Sequence, residues 1–197
     1  PSYMTGRHFP FPCLGDTEEP VRSTLEPPAE EVLLPTILSG NGYRTLLVSA
    51  HFIIGPRTRL WKAFDTAREL PMKTEGTTYA PAPFEALNGV ARELIESDNA
   101  RPFFLYIHAM DTHFPHFLSP PYDQWLDKSY HGVAETYVPG PGRSQSGAFT
   151  AQDQAYFAGL YDGSILYADT QVGALLDYLA EKGLEDDTVV IVGADHG

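Results

Sequence analysis

The chain has 197 residues, of which 43% are hydrophobic and 20% are charged, and its formal net charge is −13. This length and composition are typical of a globular domain with a sizeable core. The acidic balance argues against nucleic acid as the main partner, because phosphate binding needs clustered lysine and arginine side chains. The sequence has no apolar run of the roughly 18 residues that a membrane span needs, and its single cysteine, Cys13, excludes an intrachain disulfide. The single cysteine leaves the cellular compartment open.

The first half of the chain predicts helices that alternate with hydrophobic strands. Residues 1–35 are rich in proline and turn formers and predict irregular structure. Helical apolar spacing followed by glycine or proline marks the helices, and short apolar runs mark the strands. In chain order the predicted elements are a helix at Val32–Leu38, a strand at Thr45–Ser49, a helix at Phe84–Glu96 and a strand at Phe103–Met110.

The second half predicts a long loop, a long helix and a last strand. Residues 111–147 hold five prolines and exceed the usual length of a structureless connection, so they are either a functional loop or an insertion with little role. Thr150 is the predicted N-cap of a helix over Ala151–Lys182 that ends at Gly183. Its predicted apolar face holds Phe157, Leu160, Tyr161, Ile165, Ala168, Val172, Leu175, Leu176 and Leu179.

Val189–Val192 is apolar and mostly β-branched, which predicts a buried strand. Strands that alternate with helices favour an α/β fold with a parallel sheet covered on both faces. In such sheets ligands bind at the carboxyl ends of the strands. The polar residues that follow the predicted strands are therefore the candidate site residues.

Three strand ends carry histidine, and two of them also carry a carboxylate. Asp195-His196 can hold a divalent metal through a carboxylate oxygen and an imidazole nitrogen; the alternative is a helix cap beside a polar neighbour. His113 can serve as a general acid or as a donor to an anionic substrate, or it can be a packed loop histidine. For His51, packing and function are equally open. The remaining assignments are His108 as structural, His116 and His131 as solvent-facing, and Asp162 and Asp169 as surface residues.

Four stretches together resemble the sulfatase family of the alkaline-phosphatase superfamily. Thr5–Pro10, TGRHFP, resembles the segment that follows the family's nucleophile motif. Leu34–Val48 resembles its Leu-x-x-Leu-x-x-x-Gly-Tyr-x-Thr helix–strand unit, and Pro102–His116 resembles its strand and His-x-Pro turn. Tyr161–Gly197 resembles its helix, strand and metal-binding Asp-His/Asn-Gly stretch, and this last match is the most specific.

The resemblance implies an alkaline-phosphatase-like α/β fold, with three α/β/α layers around a mostly parallel sheet that is incomplete at both ends. Residues 1–197 are then expected to be a partial catalytic domain. The family's first strand, with its nucleophile motif, would precede residue 1, and a further part would follow residue 197. This chain alone is expected to be inactive, because the nucleophile and two carboxylate ligands would be missing.

The resemblance also implies a chemistry, namely metal-dependent hydrolysis of a small-molecule or carbohydrate sulfate ester. One divalent ion, expected to be calcium, would lie near a formylglycine nucleophile generated upstream of residue 1. Carried over by position, Asp195 and His196 become metal ligands and His113 becomes the catalytic or substrate-contacting histidine. His51 is retained as a candidate for substrate binding.

One departure from the family pattern keeps two alternatives open. Ala50 and Phe52 replace the lysine and histidine of the family's Lys-x-His, and His51 is one residue out of register, facing the other side of an extended strand. One alternative is a phosphodiesterase, phosphonate hydrolase or phosphoglycerol/phosphoethanolamine transferase that uses Thr or Ser with Mn²⁺ or Zn²⁺. The other is a catalytically inactive, sulfatase-like binding protein.

Overall fold

The computed structural model describes Met4 and residues 31–51, 54–70, 73–75, 78–137 and 149–194. The chain divides into two compact units, Pro1–Met110 and Asp111–Gly197. The described elements of the first unit are, in chain order, α1 (Leu34–Gly40), β1 (Arg44–Ser49), α2 (Arg59–Lys62), β2 (Thr66–Glu69), β3 (Lys73–Glu75), β4 (Thr78–Ala80), α3 (Phe84–Glu96) and β5 (Phe103–His108).

A three-stranded parallel sheet with the strand order β2-β1-β5 lies at the centre of the first unit. The central strand β1 is buried along its whole length, and its Leu47 pairs in register with Ala67 of β2 and Tyr106 of β5. A continuous apolar run is typical of a strand buried on both faces. The predicted strand at Thr45–Ser49 and the α/β fold class are therefore confirmed. The strands β3 and β4 form a separate antiparallel pair.

The helix α3 has the predicted bounds, and it contacts both β1 and β5. Its buried side includes Leu87, Ala91 and Leu94, which follow the helical spacing of the sequence. The guanidinium of Arg44, itself buried, donates to the carbonyl oxygens of Leu94 at 2.9 Å and Ile95 at 3.0 Å. Because the last carbonyls of a helix have no intrahelical partner, this contact fastens the end of α3 to the start of β1.

The carboxylate of Asp65 joins three elements of the first unit. One of its oxygens accepts from the backbone N–H of Thr45 at 2.9 Å, and the other accepts from the hydroxyl of Ser39 at 2.8 Å. Burial alone would raise the pKa of this carboxyl, but the hydrogen bonds from Thr45 and Ser39 outweigh it and lower the pKa. The ionised carboxylate thus ties α1 and β1 to the start of β2.

Asp65 is expected to make the stability of the chain depend on pH in the acid range. Since its pKa is lower in the folded than in the unfolded state, its contribution is present above about pH 4 and is lost as the pH falls through the folded-state pKa. We expect the free energy of unfolding of the wild type to exceed that of Asp65→Asn at neutral pH, and the gap to narrow below about pH 4. Urea denaturation of both proteins measures the gap, and a gap independent of pH would contradict this role.

The second unit contains the short helix α4 (Val133–Thr136) and the 31-residue helix α5 (Ala151–Glu181). Thr150 and Asp153 form a capping box at the start of α5, and Gly183 has a φ of 67° just after its end. Such caps satisfy the free N–H groups of the first turn, and glycine tolerates the left-handed conformation. The predicted N-cap and end of this helix are confirmed. No described helix combines the length and the hydropathy that a membrane crossing needs.

The buried side of α5 differs from the predicted apolar face. Tyr161 and Ile165 are exposed, whereas Gly159 and Gly163 are buried. The backbone of the preceding loop packs directly on these glycines: a Cβ on Gly159 would lie 2.8 Å from the carbonyl oxygen of Trp125. The prediction was wrong here because close backbone approach selects for the absence of a side chain, which an apolar spacing rule does not detect.

The two kinds of glycine on α5 provide a matched pair of substitutions. A Cβ on Gly163 would overlap the carbonyl oxygen of Tyr122, whereas a Cβ on Gly173 meets nothing within 4 Å. We expect Gly163→Ala to lower the free energy of unfolding by about 1–3 kcal/mol, and Gly173→Ala to raise it by about 0.5–1 kcal/mol. Urea denaturation of both variants tests this, and equal effects would show that the loop does not press on α5.

The prediction of a buried strand at Val189–Val192 was also wrong. In the described part of the chain this segment forms no strand, and the exposed fraction is 88% for Val189 and 87% for Ile191. β-branched residues favour extended backbone, but a strand also needs a neighbour that exchanges backbone hydrogen bonds with it. The described part of the second unit contains no strand that could pair with the segment, so its apolar pattern alone was not sufficient.

Candidate functional site

His113 lies in the turn that follows β5 in the sequence, and its side chain is exposed. Its Nδ1 is 2.6 Å from the carbonyl oxygen of Phe114. A carbonyl oxygen only accepts hydrogen bonds, so Nδ1 is the nitrogen that carries the proton. Nε2 is then the nitrogen that can exchange a proton with a substrate, which is the property that acid–base catalysis requires.

His116, three residues later, was predicted to face solvent, but its side chain is half-buried. Its Nδ1 is 2.9 Å from Oγ of Ser164 on α5, and that serine is only 1% exposed. Burial, reinforced by the neighbouring His113, lowers the pKa of His116, while a hydrogen bond to the backbone of Asp111 opposes the shift. The prediction was wrong because the sequence separates His116 from its partner by 48 residues. Gly163, which precedes Ser164 and lets the loop approach α5, was the sequence feature that could have indicated this contact.

In the first unit, His51 lies at the carboxyl edge of the parallel sheet and is half-buried. The backbone N–H of Ala50 donates to the carbonyl oxygen of His108 at 3.0 Å, which continues the pairing of β1 with β5. The imidazole rings of His51 and His108 meet edge-on, with centroids 6.3 Å apart. The structure therefore brings two histidines together at this edge, and the assignment of His51 to substrate binding stays a prediction.

Asp195 and His196, the predicted metal ligands, lie outside the described residues. Within the ranges that the structure describes, no group of three or more His, Cys, Asp or Glu side chains is placed to hold a metal ion. His131 is exposed, as predicted, and lies 3.5 Å from a carboxylate oxygen of Glu135. Asp162 and Asp169 are on the surface of α5, also as predicted.

A polar cleft that the sequence did not indicate lies at the start of α5, lined among others by Tyr130, Thr150 and Asp153. The Asp153 carboxylate accepts hydrogen bonds from the Thr150 hydroxyl at 2.6 Å, from the Thr150 N–H at 2.7 Å and from the Tyr130 hydroxyl. The Thr150 hydroxyl, followed by that of Tyr130, lowers the pKa of Asp153. These contacts stabilise the first turn of α5, so the polar residues that line the cleft have a structural role.

Comparisons with known proteins agree with the fold. The family model described as Sulfatase matches residues 14–197. No curated protein matches the chain. Among solved structures, the chain is similar to the C-terminal periplasmic domain of EcEptC from Escherichia coli in complex with Zn, with 17% sequence identity and a TM-score of 0.54.

That structural similarity covers 78% of this chain and 40% of the other chain, so this chain spans less than half the length of that protein. At 17% identity, the similarity shows a shared α/β fold. The family match carries more, because it extends over most of the sequence. This chain belongs to the sulfatase family.

Proposed function

We propose that this chain provides part of the catalytic domain of a metal-dependent hydrolase that cleaves sulfate esters. The observation that carries the proposal is the sulfatase family match over residues 14–197. In this proposal His113 is the acid–base histidine, Asp195 and His196 are metal ligands, and His51 contacts the substrate. The substrate is a small-molecule or carbohydrate sulfate ester.

The described geometry supports the role of His113. When the ester S–O bond breaks, negative charge develops on the leaving oxygen, and a proton delivered to that oxygen stabilises it. His113 is exposed, and its Nδ1 is engaged by the carbonyl oxygen of Phe114. When the ring is doubly protonated, Nε2 also carries a proton and can deliver it to the leaving oxygen, while the Nδ1–H bond to Phe114 holds the ring orientation.

The donor chemistry of Asp195 and His196 fits one divalent ion, since a carboxylate oxygen and an imidazole nitrogen are both common metal ligands. A divalent ion bound there would stabilise the charge on the transferring sulfuryl group. The described residues supply no group of three ligands by themselves. The proposal therefore adds further ligands to Asp195 and His196, with a formylglycine nucleophile close to them.

A second candidate function keeps the fold and the metal but transfers a phosphoryl group. Two observations favour it. Zn was bound in the structurally similar domain, and an imidazole ligand such as His196 suits Zn²⁺ or Mn²⁺ better than Ca²⁺. In addition, Ala50 and Phe52 stand where the sulfatase pattern has a lysine and a histidine. Such a lysine would neutralise sulfate charge.

Mass spectrometry of the natural full-length protein, on the peptide that runs into Thr5-Gly6-Arg7, separates these functions. Formylglycine, together with metal-dependent turnover of 4-nitrophenyl sulfate after metal removal and re-addition of Ca²⁺, Mn²⁺ or Zn²⁺, would support sulfate-ester hydrolysis. An unmodified Thr or Ser with turnover of bis(4-nitrophenyl) phosphate would favour phosphoryl transfer. A peptide with neither a hydroxyl nor a thiol residue would overturn both and favour an inactive binding protein.

A further inference from the structure

We propose that His116 is a positioning residue for His113: it fastens the turn Asp111–His116 to α5 and thereby holds His113 with Nδ1 protonated and Nε2 presented. The inference rests on the proposed function only in giving His113 a catalytic role. The geometry that supports it lies entirely within the second unit.

The imidazole of His116 bridges two separate parts of the second unit. It is hydrogen-bonded to the backbone of Asp111, at the start of its own turn. Its Nδ1 is also 2.9 Å from Oγ of Ser164, which in turn lies 3.0 Å from the carbonyl oxygen of Leu160 one helical turn earlier. Both ends of the six-residue turn are thus connected through one ring, and that ring is anchored on a buried serine of a long helix.

Aromatic packing fixes the same ring from its sides. Phe114 meets His116 edge-on with centroids 5.7 Å apart, and Tyr161 of α5 approaches it with centroids 6.0 Å apart. Phe114 also packs edge-on against Phe157 of α5, at 6.4 Å. Because the carbonyl of Phe114 is the acceptor for Nδ1 of His113, the contacts that hold Phe114 also hold that acceptor in place.

The burial of His116 is consistent with this role. Burial lowers the pKa of its imidazole, so near neutral pH the ring is neutral and does not repel a protonated His113. The serine hydroxyl and the backbone of Asp111 satisfy the ring in its buried position. A residue whose polar groups are all directed into the turn and α5 has no orientation left for substrate, and it acts through His113.

The protonation pattern of the His113 ring provides the test. In the chain labelled with ¹⁵N-histidine, long-range ¹H–¹⁵N correlations at about pH 8, where ordinary imidazoles are neutral, show which ring nitrogen of each of the seven histidines is protonated. His113→Gln assigns the His113 signals by their loss. We expect His113 to be protonated on Nδ1 in the wild type. Ser164→Ala and His116→Phe should shift its tautomer ratio towards Nε2–H by roughly fivefold, the factor expected when one net hydrogen bond is lost.

Controls separate positioning from general stability. Ser164→Thr keeps the hydroxyl and should restore the wild-type ratio, and His131→Phe, at an exposed histidine of the same unit, should leave it unchanged. Circular dichroism melting shows which variants are folded; if His116→Phe unfolds, Ser164→Ala, which removes a single oxygen, decides. Wild-type His113 protonated on Nε2, or an unchanged ratio in folded Ser164→Ala, would overturn the inference. The readout needs neither substrate nor metal, so it can fail or succeed independently of the proposed function.

Discussion

His113→Gln is expected to lower kcat for a sulfate ester by about 10²–10⁴-fold in the natural, metal-loaded protein, the range typical of a lost general acid or base. Glutamine is the informative replacement because its amide can still donate to the Phe114 carbonyl oxygen but cannot exchange a proton at neutral pH. The turn is therefore retained while the proton transfer is lost. Steady-state kinetics with 4-nitrophenyl sulfate measures the change, which should fall mainly on kcat, with a smaller change in KM.

His131→Gln is the matched control for His113→Gln. Both histidines are exposed and belong to the second unit, and the side chain of His131 is 78% exposed beside Glu135. We expect its kcat to stay within about twofold of the wild type, because surface substitutions away from a site have small effects. A His113→Gln variant that kept more than about one tenth of the wild-type kcat would exclude His113 as the acid–base residue.

The elements that the sequence predicted well are those whose signals are local. The helix Phe84–Glu96 has correct bounds because its apolar spacing and flanking prolines act within a few residues. The start of α5 follows from Thr150 and Asp153, three residues apart, whose side chains cap each other's backbone. The strand at Thr45–Ser49 was detectable because a strand buried on both faces must be apolar throughout.

The features that the sequence did not reveal depend on contacts between distant residues. The hydrogen bond between His116 and Ser164 joins positions 48 residues apart, and no spacing rule indicates that they meet. The buried side of α5 contains Gly159 and Gly163, which a search for apolar residues overlooks. Val189–Val192 has the composition of a strand, but pairing requires a neighbour that local composition cannot specify.

The candidate site likewise has a part that the sequence predicted and a part that it did not reveal. The strand that precedes His113 was correctly predicted, and the structure adds a hydrogen-bond acceptor for the His113 ring, the carbonyl of Phe114. The catalytic role of His113 stays a prediction. Asp195 and His196 remain predictions from the resemblance, since they lie outside the described residues. Family membership is shown by the match over residues 14–197, while the substrate depends on loops and pocket shape that fold membership does not determine.

Arg44→Met is expected to lower the free energy of unfolding by about 3 kcal/mol, because it leaves two buried helix carbonyls without a charged donor. The guanidinium of Arg44 donates to the carbonyl oxygens of Leu94 and Ile95 and lies 3.3 Å from Oγ of Ser97. Methionine keeps most of the aliphatic volume, so the loss reports the hydrogen bonds more than the packing. Arg44→Lys keeps the charge on a single nitrogen, which cannot reproduce the forked geometry, and should fall between Arg44→Met and the wild type.

Arg101→Ala is the matched control, because Arg101 and Arg44 both face the carboxylate of Asp98 but differ in burial. The ion pair of Arg101 with Asp98 is 2.9 Å long and its arginine side chain is 58% exposed, whereas the side chain of Arg44 is 6% exposed. An exposed pair contributes little, so Arg101→Ala should cost less than about 1 kcal/mol in urea denaturation. Equal losses for Arg44→Met and Arg101→Ala would mean that Asp98, and not the end of α3, is the important partner of Arg44. A larger loss for Arg44→Met than for Arg101→Ala would instead show that a buried hydrogen-bonded cap joins β1 to α3. The strand β1 leads to His51 at the carboxyl edge of the sheet.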